Sequence, residues 1–312
     1  MVSKLGYKPI ILGTVGDSGA GKSTLADGIV RIIGEERVSR LSIDDYHRYS
    51  RSQRQAEGLV VSDPDNNYLD IAEQHLGLLR RGYPILKPVY DHRKGELGPP
   101  EYVEPKPYII VDGMLAFSTR KLRENYDLKI YMDTGDDLRT KWKVQRDTAR
   151  RGYSPEQVHD ILHKTSVAAA RFIQPQRAFA DIVIDFYPAD DEEASDDNNV
   201  SVRHMLRPTI NHPRMDVIIE EGIERGISLE LSRDENGKPV DILQISGNIS
   251  NAMAEKCEEF LWTQIPETSH IHTGIGKVRG KDNSEMTSHT LAISQLLVAC
   301  YLERAVFENI AT

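Results

Sequence analysis

The stretch Gly16-Asp17-Ser18-Gly19-Ala20-Gly21-Lys22-Ser23-Thr24 decides how the rest of the chain is read. It fits G-x-x-x-x-G-K-[ST], a glycine-rich loop that binds phosphate groups. An apolar run from Pro9 to Val15 precedes it and reads as a buried strand. An amphipathic run from Ser23 to Ile33 follows and reads as a helix. In that setting, backbone N–H groups of the loop and of the helix N-terminus surround a polyanion. Residues 16–24 are therefore read as nucleotide-binding. Lys22 would reach the terminal phosphates, and the Ser23 hydroxyl would be a Mg²⁺ ligand.

Outward from this loop the bulk properties are those of an ordinary globular protein. The chain has 312 residues, 39% hydrophobic and 28% charged, enough for a sizeable core and about two domains. A net charge of −9 argues against a general nucleic-acid or anionic-membrane binder. No run approaches a membrane span, and the N-terminus lacks the apolar core of a signal peptide. Cys257 and Cys300 are the two cysteines; they offer no disulfide framework and no zinc spacing, so both read as core or surface thiols. A cytoplasmic enzyme is the expected class.

After the first helix, residues 37–43 read as a second strand, 46–67 as a polar segment with a turn cluster at 63–67, and 68–81 as a helix. Residues 82–107 hold six of the 15 prolines and read as loop or irregular edge structure. Strands are expected at 108–111, 128–132 and 181–186, with helices at 135–150 and 155–171 between the last two. Strands alternating with helices imply an α/β fold with a parallel sheet covered on both faces. Ligands bind such sheets at the carboxyl ends of the strands, which puts the glycine-rich loop, Asp44 and Asp112 on one rim. Residues 189–199 carry six acids and no base and read as a solvated connector. Beyond it, strands at 200–206, 215–220, 226–232 and 239–246, then helices at 249–263 and 288–308, suggest an α+β extension. The expected division is 1–198 and 199–312.

Three groups would complete a phosphotransferase. Asp112, after four apolar or aromatic residues, is placed to support Mg²⁺ directly or through water. Asp44 or Asp45, at the end of the second strand, could accept a proton from an acceptor hydroxyl. Adjacent acids on an extended chain point apart, so one of the two faces the site. Arg48, Arg51 and Arg54 beside His47 form one set of cations, and Arg139, Lys141, Lys143, Arg146, Arg150 and Arg151 form another. Arg139, Lys143, Arg146 and Arg150 share one helix face, and Asp147 is spaced to pair with Lys143 and Arg151. Two such sets in an acidic protein suit an acceptor that is itself phosphorylated. Arginine also stabilises a phosphoryl group in flight. Tyr90 and His92 share a face if their segment is extended, a pairing suited to a sugar.

These residues resemble a known family. Residues 16–24, Asp-Asp-Tyr-His at 44–47, Lys-Pro-Val-Tyr-Asp-His at 87–92 and Gln-Arg-Asp-x-x-x-Arg-Gly at 145–152 are similar to the phosphoribulokinase/uridine kinase family. The run from Arg171 to Ile184 and the extension to residue 312 resemble its plant, cyanobacterial and archaeal phosphoribulokinase branch. The resemblance implies a P-loop kinase-like parallel sheet flanked by helices, with an α+β C-terminal extension. It implies phosphorylation of D-ribulose 5-phosphate by ATP, with Mg²⁺, to D-ribulose 1,5-bisphosphate, the step that feeds carbon fixation, in a homodimer. On it Asp44 is the catalytic base, with Lys22 and Arg146 also catalytic. His47, Arg51, Arg54, Tyr90, His92, Lys143 and Arg151 contact the sugar phosphate, and Ser23 and Asp112 serve the metal. Plant members carry a redox cysteine within the loop and another before the Asp-Asp-Tyr-His stretch; Ala20 and Ser42 stand there in this chain. Asp112 stands where plant and bacterial members carry Glu. Rival readings are a uridine kinase-like small-molecule kinase and a non-catalytic nucleotide-binding regulator.

Overall fold

The computed structural model describes residues 7–189, 200–214, 226–265, 274–279 and 284–311; for residue 150 and residues 307–311 it describes the backbone only. The first half of the chain runs β1 (Ile10–Gly16), α1 (Lys22–Ile33), β2 (Val38–Ser42), α2 (Arg51–Glu57), α3 (Leu69–Arg80), β3 (Ile85–Asp91), β4 (Glu96–Val103), β5 (Tyr108–Gly113), α4 (Arg120–Arg123) and β6 (Leu128–Met132). It continues through α5 (Asp136–Arg151), α6 (Pro155–Ala168), β7 (Ile182–Pro188), β8 (Val200–Leu206), β9 (Ile227–Arg233), β10 (Pro239–Ile245), α7 (Asn251–Thr263), β11 (Lys277–Arg279), β12 (Glu285–Thr287) and α8 (His289–Ala311). The described residues divide into two compact units, drawn from Met1–Lys22, Glu36–Met132 and Arg139–Ala180 and from Ser23–Glu35, Asp133–Leu138 and Asp181–Thr312.

The first unit holds the parallel strands in the order β2-β5-β1-β6. Every residue of β1 is buried, as a strand covered on both faces requires. The register sets Asp112 of β5 beside Thr14 of β1 and Ser42 of β2, so the acid lies at the end of the sheet where the glycine-rich loop begins. Asp127, just before β6, accepts from the Ile11 N–H at 2.8 Å and is ion-paired to Arg80 of α3, which ties that helix to the sheet. The α/β class expected from the alternation of strands and helices is the one observed.

The polar segment at 46–67 contains α2, a helix the residue pattern alone does not announce. A capping box starts it, with Gln53 N–H donating to Ser50 Oγ and Ser50 N–H to Gln53 Oε1, and the left-handed Gly58 stops it. The proline-rich segment is not loop but an antiparallel hairpin, β3 with β4. Lys87 pairs with Glu101 and Val89 with Gly98, leaving Pro88 opposite Pro99 and Pro100 at the register shift. The prolines occupy the irregularity where no ladder N–H is needed, which is why they do not abolish the strands.

The second unit holds the antiparallel order β7-β8-β10-β9. The strand expected at 181–186 is observed as β7, and its partner within this unit, β8, runs antiparallel to it. The β9–β10 turn closes on Asp234, whose side chain accepts from the N–H groups of Asn236 and Lys238, an Asx-type turn. The strand expected at 215–220 and the connector at 190–199 lie outside the described residues. Helix α8 is buried on every side from Leu291 to Glu303, as an all-round apolar helix must be. Its Ser294 meets the buried His204 at 2.9 Å, and burial pushes that imidazole down to about 4. Cys257 and Cys300 are both buried and unbridged, and burial pushes the Cys300 thiol up to about 12. Among the described residues no helix is long and apolar enough to cross a membrane.

Candidate active site

The site is built where β1, β2 and β5 end. Lys22 is almost wholly buried and donates from Nζ to the carbonyls of Gly16 at 2.7 Å and Asp17 at 2.9 Å. Burial lowers its pKa, opposed by the carboxylates of Asp44, Asp112 and Asp17. Asp112 is pushed the other way: burial raises it, the Asp44 charge raises it further, and Lys22 and a hydrogen bond from the Ser42 hydroxyl pull it back. Lys22, Asp44 and Asp112 thus form one electrostatic group beside the phosphate loop.

The two adjacent acids separate, though on a 3₁₀ turn (Ile43–Tyr46) rather than an extended chain. Asp44 Oδ1 accepts from the Met114 N–H at 2.9 Å. It can approach because Gly113 has a φ of 151° and a Cβ there would meet Ile43 at 2.8 Å and Asp44 Oδ1 at 3.2 Å. Asp45 turns to the hairpin, accepting from Lys87 Nζ at 2.7 Å and the Tyr90 N–H at 3.0 Å. Its role is to hold β3 against the turn.

That anchorage assembles three rings. His47 lies edge-on to Tyr90 at 4.8 Å and to His92 at 6.1 Å, and Tyr90 lies edge-on to His92 at 5.1 Å. Asn67 Nδ2 donates to the carbonyls of Val61 and Asp63, so its Oδ1 faces His47 Nδ1 at 2.6 Å. An amide oxygen only accepts; Nδ1 therefore carries the proton and Nε2 is left as an acceptor. Burial lowers the pKa of His47 and of His92, with Asp44 opposing in both. Arg54 donates to Tyr90 Oη at 2.8 Å and to the Tyr49 carbonyl. Arg51 donates to the carbonyls of His92 and Arg93.

The second cation set sits on α5. Lys143 Nζ and Arg146 Nη2 both donate to the loop hydroxyl Ser18 Oγ, at 3.2 and 3.1 Å. Beneath them Asp147, 1% exposed, meets Lys143 at 3.3 Å, Arg146 at 2.8 Å and Arg151 at 3.5 Å. Burial works against the Asp147 charge, but the Arg146 hydrogen bond and the three cations hold its pKa low. Burial pushes Lys143 down to about 8, with Asp147 opposing. The loop and helix touch closely at Gly19, with φ at 93°, where a Cβ would lie 3.0 Å from Lys143 Cβ. Ala20 is buried, while Ser23 and Thr24 are exposed in the first turn of α1. The side chain of Arg150 lies outside the described residues.

A phosphate loop, a carboxylate beside its lysine and a cation set bonded to its serine are the parts of a phosphoryl-transfer site. The family model described as phosphoribulokinase / uridine kinase family matches residues 11–193.

The chain belongs to the phosphoribulokinase/uridine kinase family.

Within that family, phosphoribulokinase of Synechocystis sp. is 29% identical over 293 residues, 89% of this chain and 84% of the relative. Chloroplastic phosphoribulokinase of Chlamydomonas reinhardtii is 26% identical and covers 91% of this chain and 82% of its own. A uridine kinase of Leuconostoc citreum is 32% identical but reaches only 58% of this chain, with 89% of its own. The structure of phosphoribulokinase from Rhodobacter spheroides shares the fold, with a TM-score of 0.57 over 84% of this chain and 99% of that one, at 19% identity.

Residue spacing does not point to Ser42, Asn67 or Lys87 as members of the site, and it places Ser18 on the phosphate loop without its partners on α5. Asn67 and Ser18 lie inside motifs already recognised, a turn cluster and the glycine-rich loop, yet their side-chain partners are remote in sequence. Ser18 to Arg146 spans 128 positions.

Proposed function

We propose that the protein is an ATP-dependent kinase that converts D-ribulose 5-phosphate to D-ribulose 1,5-bisphosphate by in-line phosphoryl transfer. The observation that carries this reading is the shared position of Asp44 and Lys22, a half-buried carboxylate and the buried phosphate-loop lysine close enough to act on each other's charge. Asp44 takes the proton of the acceptor hydroxyl as its oxygen attacks phosphorus. Lys22 and Arg146 hold negative charge on the transferring phosphoryl group. His47, Tyr90 and His92 line the sugar. Arg51, Arg54, Lys143 and Arg151 supply positive charge toward its existing phosphate.

The oxygen donors fit a hard cation. Asp112 and the Ser23 hydroxyl would hold Mg²⁺, which when bound neutralises phosphate charge. Among the described residues no group of three His, Cys, Asp or Glu side chains could hold a metal by itself; an ion held by Asp112 and Ser23 would take its other ligands from nucleotide oxygens and water. The rest of the reading is a cytoplasmic homodimer divided into a kinase domain at 1–198 and an extension at 199–312.

The 32% identity to a uridine kinase keeps a nucleoside acceptor as the second reading. The cation set around Asp147 and the match of phosphoribulokinases over most of the chain favour a phosphorylated sugar. An acceptor screen, scoring ADP release with ribulose 5-phosphate and with uridine, decides it; activity on uridine alone removes the proposal. For the base, Asp44→Asn is expected to keep ATP binding and lose at least ~100-fold in kcat. Full turnover in that variant overturns the assignment and favours a nucleotide-binding regulator.

A further inference from the structure

The side chain of Gln176 is 3% exposed and far from the glycine-rich loop in sequence. It follows a π-helical turn (Ala169–Ile173) at the end of α6 and lies in a 3₁₀ turn (Gln174–Phe179) opened by Pro175. Both ends of its amide are committed. Oε1 accepts from the Phe117 N–H at 2.8 Å. Nε2 donates to the Met114 carbonyl at 2.8 Å and to the Phe172 carbonyl at 2.8 Å. A buried amide so fully satisfied is stiff, because any displacement leaves several polar groups unpaired.

The segment it grips is the one that holds Asp44. Both backbone groups of Met114, one on each side of its Cα, are committed: its N–H donates to Asp44 Oδ1, and its carbonyl accepts from Gln176. A second clamp joins the same two segments, since Arg123 donates to the Phe117 carbonyl and stands 3.8 Å from the centre of the Phe179 ring. A turn formed more than 60 positions after Asp112 therefore sets where the backbone donor to Asp44 stands.

We infer that Gln176 is a positioning residue for the phosphoryl-transfer step, acting through the Met114 N–H on the orientation of the Asp44 carboxylate. The inference rests on the reading of Asp44 as the base. It makes a distinction that simple support of the fold does not: loss of Gln176 changes kcat and leaves nucleotide affinity alone, because the loop that binds nucleotide is held by other contacts. A carboxylate turned away from the attacking hydroxyl loses a factor that misplacement by about 1 Å puts near 100-fold.

The test is a double-mutant cycle in the full-length protein with ATP and ribulose 5-phosphate. Gln176→Met, which keeps length and removes the amide, is expected to lower kcat by about 10- to 100-fold with the ATP dissociation constant within about twofold of wild type. In an Asp44→Asn background the same substitution is expected to cost less than about threefold, since there is no base left to orient. If Gln176→Met does not fold, Gln176→Glu keeps the shape and the acceptor for Phe117 but offers no donor to Met114, and a fall in its kcat supports the inference equally. Wild-type kcat in a folded Gln176 variant, or a loss that simply multiplies with that of Asp44→Asn, overturns it. Full turnover in Asp44→Asn alone instead removes the base assignment on which it stands.

Discussion

Two arginine-bearing helices flank the candidate site and treat their charges in opposite ways. On α5, Lys143, Arg146 and Arg151 gather around the buried carboxylate of Asp147, one negative charge for three positive ones, and two of them reach Ser18 of the phosphate loop. On α2, Arg51 and Arg54 place guanidinium donors on neutral oxygens, the carbonyls of His92 and Tyr49 and the hydroxyl of Tyr90. In one case a carboxylate fixes where the cations stand and leaves a surplus of charge on the loop. In the other the cations fix the rings of the pocket wall. Residue type is the same; the difference is the partner, and with it the expected consequence of removing a side chain.

The largest effect that could break this comparison is at Asp147. Removing a buried partner from three cations leaves charge uncompensated, so Asp147→Ala is expected to lower stability by about 3 kcal/mol, read from the urea midpoint. Arg54→Ala, which loses hydrogen bonds to neutral groups, should cost about 1 kcal/mol. Equal losses would mean that Asp147 is not the organising centre of α5. Next is catalysis. Arg146→Ala should reduce kcat by about 100-fold, the scale of one lost donor to a developing charge. Arg51→Ala should raise the Michaelis constant for the sugar phosphate far more than that for ATP and leave kcat nearly unchanged. A large fall in kcat with Arg51→Ala would place both helices at the transferring phosphoryl group.

The smallest effect is one of pH. With Lys143 held near 8, the folded protein releases that proton before the unfolded chain does, so stability from this group rises with pH from about 8 toward its ordinary range. Function runs the other way, because the α5 set loses a positive charge over the same interval. The Michaelis constant for the sugar phosphate is expected to rise a few-fold between pH 7 and 9. In Lys143→Arg, whose charge persists, that rise should be absent; an unchanged profile would remove Lys143 from substrate binding.

Much of the fold could be read directly from residues. The run at 10–16 is apolar enough to be a strand buried on both sides, and the pattern at 136–151 keeps its cations on one helix. Local rules suffice for such elements because burial and period act over a few residues. The hairpin at 85–103 was not legible, since proline usually argues against strands and only the pairing shows that Pro88, Pro99 and Pro100 share one irregularity. Helix α2 had its capping box in plain view at Ser50 and Gln53, yet six polar residues and a single alanine carry no apolar period to draw attention to it. Ser42, which stands where plant relatives carry a cysteine, looked like a mere absence of a thiol. In place it is a hydroxyl on the Asp112 carboxylate.

The sequence by itself determined the phosphate loop, since Gly19 and Gly21 supply left-handed backbone that other residues resist and Lys22 follows at the first helical position. It also determined that acids end β2 and β5. Spacing left the choice between Asp44 and Asp45 open and the family resemblance pointed to Asp44; only tertiary structure shows their different partners, Lys87 for Asp45 and the Met114 N–H for Asp44. Both are carboxylates on the same turn, and nothing local tells them apart. The distinction comes from a glycine at 113 that lets one approach, a lysine at 87 that claims the other, and a glutamine at 176 that holds the backbone between. Such partners meet only when the chain has folded, because side-chain hydrogen bonds select by distance in space and are blind to distance along the chain.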